Sequence, residues 1–357
     1  SGREDAAAPP PSSPATTTAP TAIQQQVSPQ QQALLAAITD SAEQQLRKLT
    51  AQAEGFSDAV DGLLAEPETE RLGTAQLAWE HLYGSYNEAR ILLSCRALAD
   101  PLQRQRLTRT DPLPILPGYI DGLHAWPGSG LVNDITVPLN REALLEQQGA
   151  TSEAEASIGF QVLQFLLFGE PEHPRTADAF LAPEPTLTDP PAAGTADAEM
   201  MAEDGAGASG ETEMVDVMPL EDHPQRRRQL LRLVATLLVE DLQLLGRTDQ
   251  PWALDGHNCP VRALAETTRR LLQLENLSDH GDVSGEYLAP DARNIARAHL
   301  WSGISPWLTE ESTLLAWADT EAPSAATQLR ELGAPENADV SQLQRLHAAL
   351  TTITGGH

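Results

Sequence analysis

From Leu35 onward, apolar residues recur at alternating threes and fours: Leu35, Ile38, Ala42, Leu46, Leu49, Ala53, Phe56, Val60 and Leu63. This spacing keeps one helix face apolar and predicts a single long amphipathic helix over about 28–64. Ser28 supplies an N-cap, Pro29 a first-turn proline and Gln31 a capping-box partner. A second stripe runs through Leu72, Ala75, Trp79, Leu82, Tyr86, Ala89, Leu93 and Ala97 until Pro101 stops it. Helical patterns resume at 224–245, 259–277, 290–303, 306–319, 324–332 and 339–353. Strand-type alternation is missing at any useful length. The fold class is therefore all-α, most simply two helical bundles in tandem, with 28–150 forming the first and 151–357 the second.

Three stretches break the pattern. Residues 1–27 are rich in Pro, Ala, Ser and Thr and read as a disordered tether, because they hold too little apolar surface to offset the entropy of ordering. Residues 100–150 are rich in Pro and Gly, with "LPILPGYIDGLHAWPGSG" at their centre, an irregular segment of the kind that covers a core or lines a site. Residues 171–224 hold 13 Asp or Glu against one arginine, and within them about 181–218 is expected to be a disordered acidic insert of the second bundle. The "RRR" at 226–228 then reads as a solvated counterweight to that insert.

Between the irregular segment and the insert lies "SIGFQVLQFLLFG" (157–169), the most apolar stretch of the chain, predicted as a buried helix over 152–168 opened by a Ser152–Glu155 capping box. Gln161 and Gln164 sit inside it, three apart and so on one helix face. A buried primary amide left unpaired costs about 1–3 kcal/mol, so this pair needs partners. One reading has the two amides stitching core helices together. Another has them lining a pocket for an uncharged or pre-complexed ligand, and a third has weak metal binding with help from Glu88 or His124.

Composition narrows the classes of function. The net charge of −28, from 51 acidic against 23 basic residues, repels nucleic acid and anionic lipid and excludes DNA or RNA as a partner. No run approaches the length of a spanning helix. The chain carries no two-histidine zinc signature, phosphate-binding glycine loop or serine nucleophile elbow. Cys95 and Cys259 would pair in an exported protein and would be two small buried hydrophobes in the cytosol. "DGHNC" (255–259) and "SDHGD" (278–282) gather ligand-type residues but read as ordinary polar turns. The opening residue is not Met, which fits a trimmed or mature form, and the tether is of the kind a lipoprotein carries.

Three pieces in order carry a family resemblance: "AWEHLYGSYNEAR" (78–90), "GLHAWPG" (122–128) and "GFQVLQFLLFGE" (159–170). Together they resemble the imelysin-like family of bacterial envelope proteins, also classed as insulin-cleaving metallopeptidases. Trp79, Tyr86, Glu88 and Ala89 match its first piece, Ala125, Trp126 and Pro127 its second, and Gly159, Phe165, Leu166, Leu167 and Gly169 its third. "RTADAF" (175–180) and "LVEDLQLL" (238–245) resemble the pieces that follow, so the likeness spans roughly 30–350, apart from the insert. The departure is chemical. The family's Gly-x-His-x-x-Glu stands here as Gly-Phe-Gln-Val-Leu-Gln, with Gln161 and Gln164 in place of the histidine and the glutamate. An imidazole and a carboxylate can grip a metal or exchange protons, whereas two carboxamides have no useful pKa and are weak neutral ligands.

The resemblance implies two bundles related by an approximate internal duplication, with an ancestral site between them. The ligand-binding positions it carries over are Gly159, Gln161, Gln164, Tyr86, Glu88 and Trp126, joined by His124 from the same loop. It implies a protein of the periplasm or outer membrane, exported and lipid-anchored at its N-terminus. Its role would lie in iron or haem acquisition, exercised by binding a ligand or an envelope partner rather than by catalysis. No catalytic residue and no resident cofactor are expected. Iron or zinc, were either held, would fall to Glu88, His124, Asp279, His280 and Asp282. One rival reading is a zinc-dependent peptidase, which both substitutions oppose. The other is a structural adaptor whose acidic insert docks a basic partner.

Overall fold

The computed structural model describes residues 28–181, 223–247, 259–277 and 288–354. Among these, thirteen α-helices, two short 3-10 helices and one hairpin of two two-residue strands make up the regular structure, so the protein is all-α as expected. Helix α1 (Pro29–Ala65) buries the stripe from Ile38 to Leu63, joined by Leu34 at its start. It packs against α2 (Thr69–Glu88), α8 (Pro224–Leu245) and α11 (Thr313–Glu321). Nearly all the buried apolar side chains, from Leu34 to Leu350, belong to one continuous cluster. Helices from either side of residue 150 therefore contribute to the same core.

The second predicted helix is two. Helix α2 ends at Glu88, Ala89 forms a one-residue joint, and α3 (Arg90–Ala99) continues to Pro101, where α4 (Pro101–Thr110) begins under an Asp100 cap. The joint lies where α10 (Pro290–Ile304) crosses α2 closely. A side chain at Gly303 would sit 3.1 Å from the Glu88 carbonyl, and one at Gly84 would strike the His299 ring. This tertiary contact has no period in the sequence, so the stripe of apolar residues runs through the joint unbroken.

The buried helix is shorter than its apolar run predicts. Helix α7 spans Phe160–Phe168, and residues 152–159 form turns in which Ser152 and Glu155 serve local loop bonds instead of a helix cap. Gly159 sets the start. Its φ is +101°, and a Cβ there would lie 2.6 Å from the Arg109 carbonyl, so only glycine lets the chain pass and turn into the helix. In the later half, the helix expected at 306–319 begins at Thr313 behind a Ser312 cap, with a 3-10 turn at Ser305–Leu308 before it. Helices α9 (Cys259–Asn276), α12 (Pro323–Leu332) and α13 (Val340–Ile353) fall within a residue or two of expectation.

The segment 100–150, expected to be irregular, opens with the helix α4 and includes two shorter ones, α5 (Pro117–Ile120) and α6 (Arg141–Gln147); the loops between them are clamped by the arginines at the start of α8. Arg226 donates to the carbonyls of Leu131, Val132, Asp134 and Val137 at 2.7–3.0 Å. Arg227 reaches the fully buried Asp121 at 2.6 Å, and Arg175 meets the same carboxylate at 3.0 Å. Arg228 bonds the carbonyls of Phe180 and Leu64, both at 2.6 Å. The expected solvated counterweight is instead a set of three buried or half-buried ties. A loop without secondary structure leaves carbonyls unpaired, and guanidinium groups supply the missing donors. The tether (1–27), the insert beyond Leu181, residues 255–258 and the 278–282 loop lie outside the described residues.

Cys95 on α3 and Cys259 at the start of α9 form a disulfide, with Cα atoms 5.4 Å apart and a sequence separation of 164. So wide a closure removes much freedom from the unfolded chain. Replacing both cysteines by serine is expected to cost about 2–4 kcal/mol. Urea unfolding of the two forms checks this: coincident curves would mean that the bridge adds no stability.

Candidate functional site

The face that α2 turns toward α7 carries Trp79, Tyr83 and Tyr86, spaced so that their rings stack in sequence. Phe160 packs against all three, with ring centroids 4.8–6.3 Å away. The Trp79 indole N–H donates to the Phe160 carbonyl at 3.0 Å, and the Gln76 amide donates to the Leu167 carbonyl at 3.0 Å. Helix α7 is thereby fixed at both ends on α2, and Phe160, Val162, Leu163, Phe165, Leu166 and Leu167 are all fully buried. At about 1.5–3 kcal/mol per large apolar side chain, this burial fixes the helix axis and with it the direction of Gln161.

Gln161 points into a buried polar network. Its Nε2 donates to Asp111 Oδ1 at 2.8 Å and to the Tyr83 hydroxyl oxygen at 3.0 Å. Asp111 is fully buried and forms an ion pair with Arg270 of α9 at 2.6 Å, and the same Arg270 nitrogen bonds the Asp111 backbone carbonyl at 2.7 Å. The Tyr83 hydroxyl lies within 3.4 Å of both Asp111 carboxylate oxygens. Tyr86 continues the network to Thr110 at 3.1 Å and to the Arg90 guanidinium, which also lies 5.5 Å over its ring. Burial pushes the Tyr83 phenol well above its ordinary pKa; the Asp111 charge adds to this and Arg270 opposes it. Burial raises Tyr86 as well, with Arg90 pulling the other way. Both phenols are held neutral.

Of the residues expected at the site, the structure joins Gly159, Gln161 and Tyr86. Gln164 is buried one turn further along α7 and makes no side-chain hydrogen bond to another described residue. Glu88 is engaged elsewhere, 2.9 Å from Lys48 Nζ and 2.8 Å from His299 Nδ1. Burial pushes its carboxyl up, yet the bonds from Lys48 and His299 outweigh this and leave it below the usual range. His124 stacks on His173, with ring centroids 3.7 Å apart, and its backbone N–H donates to Glu170 at 2.6 Å. Trp126 is 69% exposed and so walls in nothing. Asp279, His280 and Asp282 fall outside the described residues.

Sequence reasoning missed Tyr83, Thr110, Asp111, Arg90 and Arg270. Tyr83 and Tyr86 lie three apart in "YGSY", the same spacing as the two glutamines, and that echo was the available signal. Asp111 and Arg270 are 159 residues apart, with nothing in the sequence to link them.

Zinc or iron would require several lone pairs converging on one point. At Gln161 a donor nitrogen faces Asp111, and the remaining reach of that carboxylate is taken by a guanidinium cation. Among the described residues no three His, Cys, Asp or Glu side chains converge. These residues do not fit a divalent cation. Nor does the network hold a base: its one carboxylate is ion-paired and its phenols are neutral.

An all-helical protein with an aromatic-lined α2–α7 contact and a buried polar network at a Gly-x-Gln-x-x-Gln stretch is the class these features define. The imelysin family model matches residues 42–254, and the chain belongs to that family. No curated protein matches it.

Asp111→Asn leaves Arg270 buried without a counter-charge and is expected to cost about 3–5 kcal/mol of stability. Adding Arg270→Met should recover a large part, since it removes the stranded charge, and a denaturation double-mutant cycle reads this coupling. The raised phenols make a second prediction. The folded protein keeps these protons above the pH at which the unfolded chain releases them, so their stabilisation is complete below about pH 10 and declines as pH rises further. In an absorbance titration, Tyr83 and Tyr86 should ionise only together with loss of the helical signal; ionisation in the folded state would refute it.

Proposed function

We propose that this member of the imelysin family acts by binding rather than by hydrolysis, as an envelope protein serving iron or haem acquisition through a ligand or protein partner. The observation that carries the reading is the Gln161 amide donating to an Asp111 already paired with Arg270. Where the family motif has an imidazole, this chain presents a donor beside a fixed cation. A zinc peptidase needs an open metal position and an activated water, and these residues provide ligands for neither.

The disulfide supports export, since such bonds persist in oxidising compartments. No described helix is long and apolar enough to cross a membrane, so attachment would fall to a lipid or a partner. The link to iron or haem comes from the resemblance to the family.

The test pairs the natural protein with a Gln161→His, Gln164→Glu double variant, each purified without a histidine tag. After challenge with Fe and Zn and desalting, elemental analysis should find the natural protein empty; metal held by the double variant alone would show that the two motif positions suffice to restore a site. Both are then assayed for cleavage of insulin B chain. Stoichiometric metal with peptide cleavage in the natural protein would overturn the binding reading.

A further inference from the structure

Two adjoining cavities open between α3, α4 and α9, with volumes of about 320 and 860 Å³. They share Arg90, Arg104, Thr108, Arg269 and Arg270, and the larger also reaches Arg109 and Asp111. In a chain of net charge −28, five arginines on one cleft form a sharp local reversal of sign. Three carboxylates line the same walls: Asp111, Glu153 and Glu266.

The pairing decides what is left over. Asp111 is committed to Arg270 at 2.6 Å, and Arg109 is held bidentately by Asp241 at 2.5 and 2.6 Å. Arg269 meets Glu266 one turn away at 2.9 Å, both of them at least half exposed, in the kind of surface pair that contributes little and yields easily. Arg90 and Arg104 face no carboxylate within ion-pair distance among the described residues. Both are nevertheless held in place. Arg90 lies over the Tyr86 ring and donates one Nη1 hydrogen to its hydroxyl oxygen. Arg104 is tied by Nε and Nη2 to the carbonyls of Ala97 and Leu98, both at 3.2 Å. Each uses part of its five-donor fork on the protein, leaving N–H groups of fixed direction unspent.

Two pre-positioned guanidinium groups without counter-ions, with a third only loosely paired, suit planar or tetrahedral oxygen anions, which accept such forks two bonds at a time. We propose that this cleft binds a small polyvalent oxyanion, carrying carboxylate or phosphate groups, through Arg90, Arg104 and Arg269. Thr108, Gln105 and Gln273 border the same space and supply neutral polar groups for the ligand's remaining oxygens. The proposal rests on the binding reading above and gives its ligand a chemical class. It also joins the cleft to the motif: Arg90 touches Tyr86, and Arg270 touches Asp111, which touches Gln161.

Calorimetric titration of the oxidised, metal-free protein with citrate, and separately with inorganic pyrophosphate, at low ionic strength tests it. At least one of the two should bind at a single site, and the better binder tells carboxylate from phosphate chemistry. Arg104→Gln and Arg269→Gln, both at exposed positions where folding is not at stake, should each weaken binding roughly tenfold or more. Arg90→Lys, which keeps the charge but loses the fork, should also weaken it, while Arg330→Gln on α12 should leave it unchanged. Affinity should fall steeply with added salt. Failure of both anions to bind, or binding that the cleft variants leave intact, overturns the proposal. Neither result bears on whether the protein holds metal or cleaves peptide, so the binding reading stands or falls on its own assay.

Discussion

Asp111 is the point through which the interior is tied together. Its fully buried carboxylate is shared among a guanidinium from α9, an amide from α7 and a phenol from α2. Carrying a charge into that environment costs several kcal/mol, and the arrangement persists because every partner is brought within bonding distance by apolar packing. The stacked rings of α2 set the α7 axis, α7 delivers Gln161, and Gly159 lets the chain slip past the Arg109 carbonyl just ahead of Asp111. If any one of these elements moved, a buried polar group would be stranded. The network is therefore a device for holding three helices in one relation, whatever else it does.

The same logic explains why the two glutamines are not equivalent. Gln161 donates both of its observed bonds into a site that already contains one anion and one cation in balance. A charged side chain there would unsettle that balance, and a neutral amide preserves it. Gln164 lies a turn further on and is buried, with no side-chain hydrogen bond to another described residue. Within one motif, then, the first substitution is integrated into a network and the second is tolerated beside it.

Much of the fold could be read directly from the chain, because amphipathic periodicity and caps are local. Helix α1 and most of the later helices lie within a few residues of their expected ends, and Asp339 closes a capping box that local sequence alone can form. The differences are tertiary in origin. The Ala89 joint answers to a crossing at Gly84 and Gly303, and the late start of α7 answers to Gly159 meeting residues 109–112. The three arginines at 226–228 read as solvated because their acceptors, backbone carbonyls and the Asp121 carboxylate, lie 48 to 164 residues upstream. The site followed the same division. Gln161 was visible as a polar residue in an apolar run, whereas its partners Asp111 and Arg270 are defined by distance in space and leave no trace in spacing. Glu88, His124 and Trp126 were carried over by motif likeness, and each makes its contacts outside the Gln161 network.

The Cys95–Cys259 bridge gives the chain a topology as well as a tie. Everything between those two residues, including α4 to α8 and the acidic stretch, belongs to one covalent ring. A protease that cuts once anywhere within the ring opens it without releasing a fragment. The nicked molecule gains only the water of hydrolysis and migrates as one species until a reductant is added. Under oxidising conditions the acidic stretch can thus be cleaved while the walls of the arginine cleft, on α3 and α9, stay joined.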